Sequence, residues 1–231
     1  MVYRVNSITG LSPWYSGAER EHQKAFNWLI RPGGVVVDVG ANWGQHTLYF
    51  SRLVGVFGRV IAVEPYPPAF AELEWHVAAN HCTNVNAEQI AVGDRDGADP
   101  FFPGDSASTG RLMSSAPTSA LSDAIRVKVR TLDSLVETVG LRAVTLVKID
   151  VEGAEGRVLC GAEQVTARFR PIFVVDLHTP KQDVFVARWL TERGYRLRRL
   201  GGPPILRTDA GWPEQTGVWG SILALPAGFK P

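Results

Sequence analysis

The chain has 231 residues, a formal net charge of +1 at neutral pH, and 45% hydrophobic and 20% charged residues. These values are ordinary for a globular protein with its own core, and the balanced charge gives no electrostatic reason to expect a nucleic acid or an acidic membrane as partner. No stretch approaches the roughly 20 apolar residues that span a bilayer, and no leader-like segment is recognisable, so we expect no membrane span and a cytoplasmic location. The two cysteines, Cys82 and Cys160, lack zinc-ligand spacing.

The first predicted element is a helix over residues 18–30, where Phe26, Leu29 and Ile30 recur at helical spacing opposite charged residues. The following Arg-Pro-Gly-Gly stretch ends this helix. We expect residues 1–34 to form an N-terminal segment and helix that pack on the core, and residues 35–231 to form the ligand-binding domain, with a single domain overall.

The run VVVDVGANWGQHTLYF, from Val35 to Phe50, predicts a strand, a tight glycine turn and a helix, and Val60 to Pro65 predicts a second strand. This is half of a nucleotide-binding α/β unit, with an acid, Glu64, at the second strand end to accept ribose hydroxyls. Asn42 replaces the middle glycine of a dinucleotide fingerprint and can hold a left-handed conformation. A pyrophosphate therefore has no obvious cradle, and an adenosine-type ligand such as S-adenosylmethionine fits better. The other interpretation is an ordinary turn in a parallel sheet.

The remaining elements continue the alternation of strands and helices. The segment from residue 94 to 123 is rich in Ser, Gly and Pro, and we expect an irregular surface loop or a flap over the ligand pocket. The sum is a sheet of about seven mostly parallel strands with helices on both faces. Beyond the first two strands, the predicted helices are residues 67–80, one after Asp150, and 181–193; the predicted strands are residues 85–92, 125–129, 146–150, 172–177, 195–200 and 218–225.

In a parallel sheet of this kind the ligand binds beyond the carboxyl ends of the strands. Polar side chains that follow predicted strands should therefore meet at one edge. They are Asp38, Glu64, Asp150, Glu152, Asp176 and His178.

Four sequence blocks, DVGANWG, AVEPYP, TLDSL and KIDVEGAE, stand in this order between Asp38 and Glu155. Together they resemble the FkbM-type methyltransferase family over about Val35 to His178, most of the chain. The resemblance implies a Rossmann-like class I methyltransferase fold and S-adenosyl-L-methionine as donor. It also implies O-methylation of a hydroxyl on a sugar, polyketide or other natural-product acceptor.

Site residues follow from the turn, the strand ends and the family blocks. We expect the cofactor to be bound by Asp38, Gly40, Asn42, Gly44, Thr47, Glu64, Pro65, Tyr66 and Asp150. The candidates for proton removal from the acceptor are Asp150, Glu152 and His178, the last because an unperturbed imidazole titrates near neutrality. No metal is required, although Asp150 with Asp176 would suit Mg²⁺.

Two other functions remain open at this point: a non-catalytic module that binds an adenosyl ligand, and a nicotinamide-dependent oxidoreductase. The expected partner is a small-molecule acceptor, with self-association left open. The N-terminal segment and residues 94–123 are expected to face the acceptor. Trp212 and Trp219, in the segment from Gly201 to Gly220, would line the acceptor pocket or mediate self-association.

Overall fold

The computed structural model describes residues 17–103, 111–112, 124–202, 204–205 and 220–229. These residues form helices and strands that alternate along most of the chain. The helices are α1 (Gly17–Leu29), α2 (Gln45–Val54), α3 (Pro67–Ala79), α4 (Leu132–Val139), α5 (Glu155–Cys160), α6 (Glu163–Phe169) and α7 (Pro180–Glu192). The strands are β1 (Val35–Val39), β2 (Arg59–Val63), β3 (Val85–Glu88), β4 (Ala91–Val92), β5 (Gly97–Phe102), β6 (Arg111–Leu112), β7 (Ile125–Arg130), β8 (Leu146–Ile149), β9 (Ile172–Asp176), β10 (Tyr195–Arg199) and β11 (Ser221–Pro226).

The main sheet has seven strands in the order β10-β11-β9-β8-β1-β2-β3. All are parallel except β11, which runs antiparallel to both β9 and β10. From β1 the chain moves outward to β2 and β3, and it later returns to the other side of β1 to place β8. The strand order therefore reverses between β1 and β8, which is where open α/β sheets form a ligand crevice. The predicted Rossmann-like class I architecture is confirmed.

Helices cover both faces of the main sheet. Successive strand residues point to opposite sides, so each face carries apolar side chains that pack against helices. On one face Val37, Ile61 and Ile149 belong to the larger core cluster, with side chains from α4 to α7. On the other face Val36 packs in a second cluster with Phe26 of α1 and Phe50 of α2. The two phenyl rings meet edge to face with 4.7 Å between centroids. Burial of a phenylalanine side chain stabilises the fold by roughly 1.5–3 kcal/mol, so α1 is anchored on the sheet.

Two sequence expectations are wrong in this region. Residues 85–92 do not form one strand: β3 ends at Glu88, a tight turn closes when Ile90 N–H donates to Glu88 O (3.0 Å), and β4 joins a different sheet. That second sheet has the order β4-β7-β5-β6. It takes its β5 and β6 strands from the segment expected to be an irregular loop. Residues 104–110 and 113–123, and with them the expected flap, lie outside the described residues, as do Trp212 and Trp219.

The segment after Asp150 also differs from the expected single helix, since α5 and α6 are separate and meet at Gly161. A Cβ at Gly161 would lie 2.1 Å from the carbonyl oxygen of Gly93, so only glycine allows this close approach to the end of β4. Within the described segments, no helix has the length and apolar character that crossing a membrane requires.

Candidate functional site

A cleft of about 460 Å³ opens at the carboxyl ends of β1, β2, β8 and β9. One part of its wall is apolar and includes Ile90, Val92, Phe101 and Leu112, the last three from the second sheet. Another part of the wall is polar. It is formed by His22, Glu64, Asp150, Glu152, Asp176, His178 and Ser221.

The turn between β1 and α2 forms the floor of the cleft. Gly40 has φ 78°, and its N–H donates to Val63 O at 3.0 Å, which ties the turn to the end of β2. A Cβ at Gly40 would lie 1.9 Å from the carbonyl oxygen of Asp150, so a larger residue would force β1 and β8 apart. Asn42 adopts the left-handed conformation expected from the sequence, with φ 49°.

Glu64, at the end of β2, is held in place by the backbone. Its Oε2 accepts the N–H of Asn42 at 2.9 Å and its Oε1 accepts the N–H of Tyr66 at 2.8 Å. The side chain is only 6% exposed. Burial raises its pKa from 4.5 to about 7, against the opposing effect of the two backbone hydrogen bonds and of the charge on Lys148. Each carboxylate oxygen has a second lone pair, so the group can still accept two ligand hydroxyls.

A buried ion pair lies beneath the turn. Lys148, 2% exposed, is the cross-strand neighbour of Asp38 in the β1–β8 register. Its Nζ lies 3.6 Å from Asp38 Oδ1 and 3.2 Å from Asp150 Oδ2. Burial alone would lower the pKa of Lys148, but the surrounding carboxylates raise it above its ordinary value, so the ammonium keeps its charge. Asp38 also accepts a hydrogen bond from the Thr47 hydroxyl at 2.7 Å. The ion pair and this bond hold the turn from below.

His178 lies among three carboxylates. Its Nδ1 donates to Glu155 Oε1 at 2.5 Å, and its Nε2 lies 3.3 Å from Asp150 Oδ1 and 3.5 Å from Glu152 Oε1. Burial lowers its pKa, but the hydrogen bonds to Asp150 and Glu155 outweigh burial and raise the pKa to about 10. Burial would raise the pKa of Asp150, but Lys148 and His178 hold it below its ordinary value. At neutral pH the imidazole is therefore protonated and has no lone pair for a proton, so the reason given for His178 as the base is wrong.

The far wall of the cleft brings together residues that are distant in sequence. Asp176 Oδ1, at the end of β9, lies 2.8 Å from His22 Nε2 of α1 and accepts the Ser221 hydroxyl at 2.5 Å. Burial would raise the pKa of Asp176, but His22 and Lys148 hold it below its ordinary value. Sequence reasoning missed His22 and Ser221, since neither belongs to a motif. It also missed Lys148, although a lone cation in the strand beside Asp38 was a usable signal.

The predicted site residues divide into two groups. Seven line the cleft: Gly40, Asn42, Glu64, Pro65, Asp150, Glu152 and His178. The other four predicted residues (Asp38, Gly44, Thr47 and Tyr66) stand behind its described lining. Gly44 packs against α3, where a Cβ would lie 2.6 Å from Leu73 Cδ1, and the Tyr66 ring stacks on Phe101. The described ligand atoms that converge closely enough for a metal ion are those of Asp150, Glu152 and His178, and Asp176, noted with Asp150 as a pair that would suit Mg²⁺, is not in this group.

The reversed β11, the strand order and the position of the cleft define a class I methyltransferase fold. Residues 38–197 match the methyltransferase FkbM domain, and the chain belongs to this family of methyltransferases. The family assignment based on the four sequence blocks is thus confirmed, and the oxidoreductase alternative is set aside.

Relatives in three organisms are similar over about two thirds of this chain. Methyltransferase 1 of Beauveria bassiana is 31% identical over 68% of this chain and 70% of its own length. The 31-O-demethyl-FK506 methyltransferase FkbM of Streptomyces tacrolimicus is 31% identical over 64% and 67%. The 2-O-methyltransferase NoeI of Sinorhizobium fredii is 27% identical over 66% and 67%.

Solved structures agree on the fold. Methyltransferase FkbM from Methylobacillus flagellatus superposes with a TM-score of 0.55 at 16% identity, over 87% of this chain but only 50% of the other. This chain thus spans about half of that protein. A Streptococcus mutans protein in complex with SAH gives a TM-score of 0.52 at 8% identity, over 89% and 97% of the two chains.

Proposed function

We propose that this methyltransferase binds S-adenosylmethionine in the cleft and transfers its methyl group to a hydroxyl oxygen of a sugar, polyketide or other natural-product acceptor. The observation that carries the proposal is the placement of Glu64. Its carboxylate is fixed by the N–H groups of Asn42 and Tyr66. It also lines the cleft next to the Gly40 turn. This is the arrangement expected for an acid that accepts both hydroxyls of a ribose.

The two ends of the cleft match the two ends of the proposed cofactor. The apolar wall with Ile90, Val92 and Phe101 suits an adenine ring, and Glu64 lines the same cleft and suits the ribose. The amino-acid end of S-adenosylmethionine would then lie against the turn at Gly40 and Asn42. Asp150 adjoins that turn, because its backbone N–H donates to Val39 O at 3.0 Å. The sulfonium methyl would then point toward the polar wall.

The reaction is an in-line displacement in which the acceptor oxygen bonds to the methyl carbon as the carbon–sulfur bond breaks. The hydroxyl loses one proton, and the products are the methyl ether and S-adenosylhomocysteine. The donor is already activated by its positive charge, so the protein chiefly aligns the reactants. The protonated His178 cannot take the hydroxyl proton, and Asp150 is engaged by Lys148. We therefore assign proton acceptance to Glu152, with His178 orienting it from 3.5 Å.

Transfer to oxygen is supported by the relatives, two of which have names that specify an O-methyl position, in one case on FK506. The SAH bound by the Streptococcus mutans protein of the same fold supports the donor. His22, Asp176 and Ser221 add hydrogen-bonding groups to the polar wall, which suits an acceptor with several hydroxyls.

The test is calorimetric titration of the protein with S-adenosylmethionine and S-adenosylhomocysteine. We expect micromolar binding, and we expect Glu64→Gln to weaken it at least tenfold, because hydrogen bonds to a charged group contribute about 1.5–3 kcal/mol. The control is Glu74→Gln, the same chemical change on the exposed face of α3. Absence of binding to both compounds by the wild type would contradict the proposal.

Turnover is tested separately, by transfer of labelled methyl from S-adenosylmethionine to a panel of hydroxylated acceptors. We expect a labelled ether and a large loss of rate in Glu152→Gln with little change in cofactor affinity. Tight cofactor binding without transfer to any acceptor would instead favour the non-catalytic binding module.

A further inference from the structure

Three side chains at the polar end of the cleft converge on one point. Asp150, Glu152 and His178 can each present one ligand atom so that all three atoms lie within 4.8 Å of one another. Metal–ligand bonds of about 2.0–2.2 Å allow donor atoms up to about 4.4 Å apart around one ion, and His178 Nε2 lies 3.3 Å from Asp150 Oδ1 and 3.5 Å from Glu152 Oε1. Two carboxylates and an imidazole from the ends of neighbouring strands are therefore spaced closely enough to share a cation.

The imidazole is oriented from behind by a buried acid. Glu155 at the start of α5 is fully buried. Its Oε1 lies 2.5 Å from His178 Nδ1 and also accepts the N–H of Gly153 at 3.0 Å. Metal-bound histidines commonly donate their second N–H to a carboxylate in this way, which fixes the ring and leaves the other nitrogen for the ion. His178 Nε2 accordingly faces Asp150 and Glu152.

The two carboxylates are also held separately. Asp150 Oδ2 lies 3.2 Å from Lys148 Nζ, and its other oxygen, Oδ1, faces His178 Nε2. Glu152 sits in a left-handed backbone conformation with φ 50°, which is costly for a non-glycine residue. The side chain of Glu152 is 27% exposed and lines the cleft, so a cation here would be reached from solvent.

We propose that Asp150, Glu152 and His178 bind a first-row divalent transition-metal ion such as Mn²⁺ or Zn²⁺. The imidazole favours these ions over Mg²⁺ and Ca²⁺, which prefer oxygen ligands alone. The ion would bind through the lone pair of His178 Nε2. Three protein ligands leave coordination positions open toward the cleft. If the proposed function holds, an acceptor hydroxyl would bind there and lose its proton more readily, and the proton would pass to the carboxylate oxygen of Glu152 that does not bind the ion.

The experiment uses tag-free protein at pH 8.5, stripped of metal and titrated with Mn²⁺ or Zn²⁺ by calorimetry, with electron paramagnetic resonance to count bound Mn²⁺. We expect one ion per chain. Glu152→Gln should weaken binding at least tenfold, and Glu155→Gln should weaken it 10–100-fold through the orientation of His178. Glu74→Gln should bind as the wild type does. Electron spin-echo modulation should show nitrogen coupled to Mn²⁺, and His178→Gln should remove it.

Three outcomes would overturn the metal site: no binding by the wild type at 1 mM ion, equal affinity in Glu152→Gln, or bound Mn²⁺ without coupled nitrogen. Thermal unfolding of each variant shows whether a loss of metal binding is caused by a loss of folding. If a variant is destabilised, Glu155→Gln and Glu152→Gln are compared at a temperature where both are folded. Titration with S-adenosylhomocysteine on the same samples keeps the two proposals apart. A chain that binds Mn²⁺ at this site but no adenosyl compound would contradict only the proposed function.

Discussion

Acidification from pH 8 to pH 6 should weaken binding of S-adenosylhomocysteine about tenfold, through protonation of Glu64. Its pKa of about 7 in the free protein means that about ten carboxyls in eleven are ionised at pH 8 and about one in eleven at pH 6. In the ionised carboxylate both oxygens can accept, one from each ribose hydroxyl. The ligand therefore binds the ionised form of Glu64 more tightly than the protonated form. Affinity should therefore rise with pH up to about 7 and level off above it, a change of about 1.4 kcal/mol.

Two charged side chains near Glu64 change its pKa in opposite directions. Lys148 on β8 lowers the pKa of Glu64 and Asp38 on β1 raises it, and both effects are smaller than that of burial. Lys148 keeps its charge over the whole range, since its own pKa is raised. Proton uptake by Glu64 is thus the event to which the affinity responds.

The assay is calorimetric titration at half-unit steps from pH 6 to pH 8. A second ligand, 5′-methylthioadenosine, lacks the amino-acid end and so reports on the ribose contact alone. Glu64→Gln should bind weakly and show no slope. A dissociation constant that does not change with pH in the wild type, or an equal slope in Glu64→Gln, would refute the reasoning.

Three further predictions concern the support of the turn and are measured by urea unfolding. Gly40→Ala should lower the free energy of unfolding by about 3 kcal/mol or more. Left-handed backbone strain costs about 1–2 kcal/mol, and the clash of the new Cβ with a carbonyl oxygen at 1.9 Å adds to that cost. The control is Gly140→Ala, at φ 69° with open space around it, which should show the strain alone. Lys148→Met should cost about 3–5 kcal/mol, since it leaves the buried carboxylate of Asp38 uncompensated, and adding Asp38→Asn should restore part of the loss. Thr47→Val should cost about 1–3 kcal/mol, because it removes the hydroxyl that donates to Asp38.

Each of these expectations has an outcome that contradicts it. Equal losses in Gly40→Ala and Gly140→Ala would show that the close approach to β8 is relieved at no cost. A Lys148→Met protein as stable as the wild type would mean that the carboxylates take up protons or water instead. If Thr47→Val lowers the stability of the Asp38→Asn variant as much as that of the wild type, the Thr47 hydroxyl does not stabilise the protein through Asp38.

The main sheet and the turn were predictable because their signals are local. An apolar strand that ends in an acid, a glycine turn and a helix leave a pattern within about 30 residues, and the position of Glu64 follows from it. The left-handed conformation of Asn42 was likewise expected from its place in the turn.

Hydrophobic alternation predicted β7 of the second sheet, over residues 125–129, but it did not predict β5. In β5 the inward position before Phe101 is occupied by Asp99, which is buried through ion pairs of 2.6 Å with Arg95 and Arg157. A sequence pattern assigns an acidic residue to an exposed position. The alternation of buried and exposed residues in β5 therefore cannot be recognised from the sequence. Its partner Arg157 comes from α5, 58 residues further along the chain, and a pairing at that distance leaves no local trace.

The far wall of the cleft differs from the rest of the site in how it is assembled. The contacts of Glu64 link residues at most 22 positions apart. By contrast, Asp176 is held by His22 across 154 positions, and His22 and Ser221 lie 199 positions apart. Both also lie outside the matched family segment, residues 38–197. The contacts of Glu64 are thus local, whereas this wall exists only once the last described strand has paired with β9. If the proposed function holds, fraying of either end would leave the contacts of Glu64 with the donor in place and remove the wall proposed to contact the acceptor.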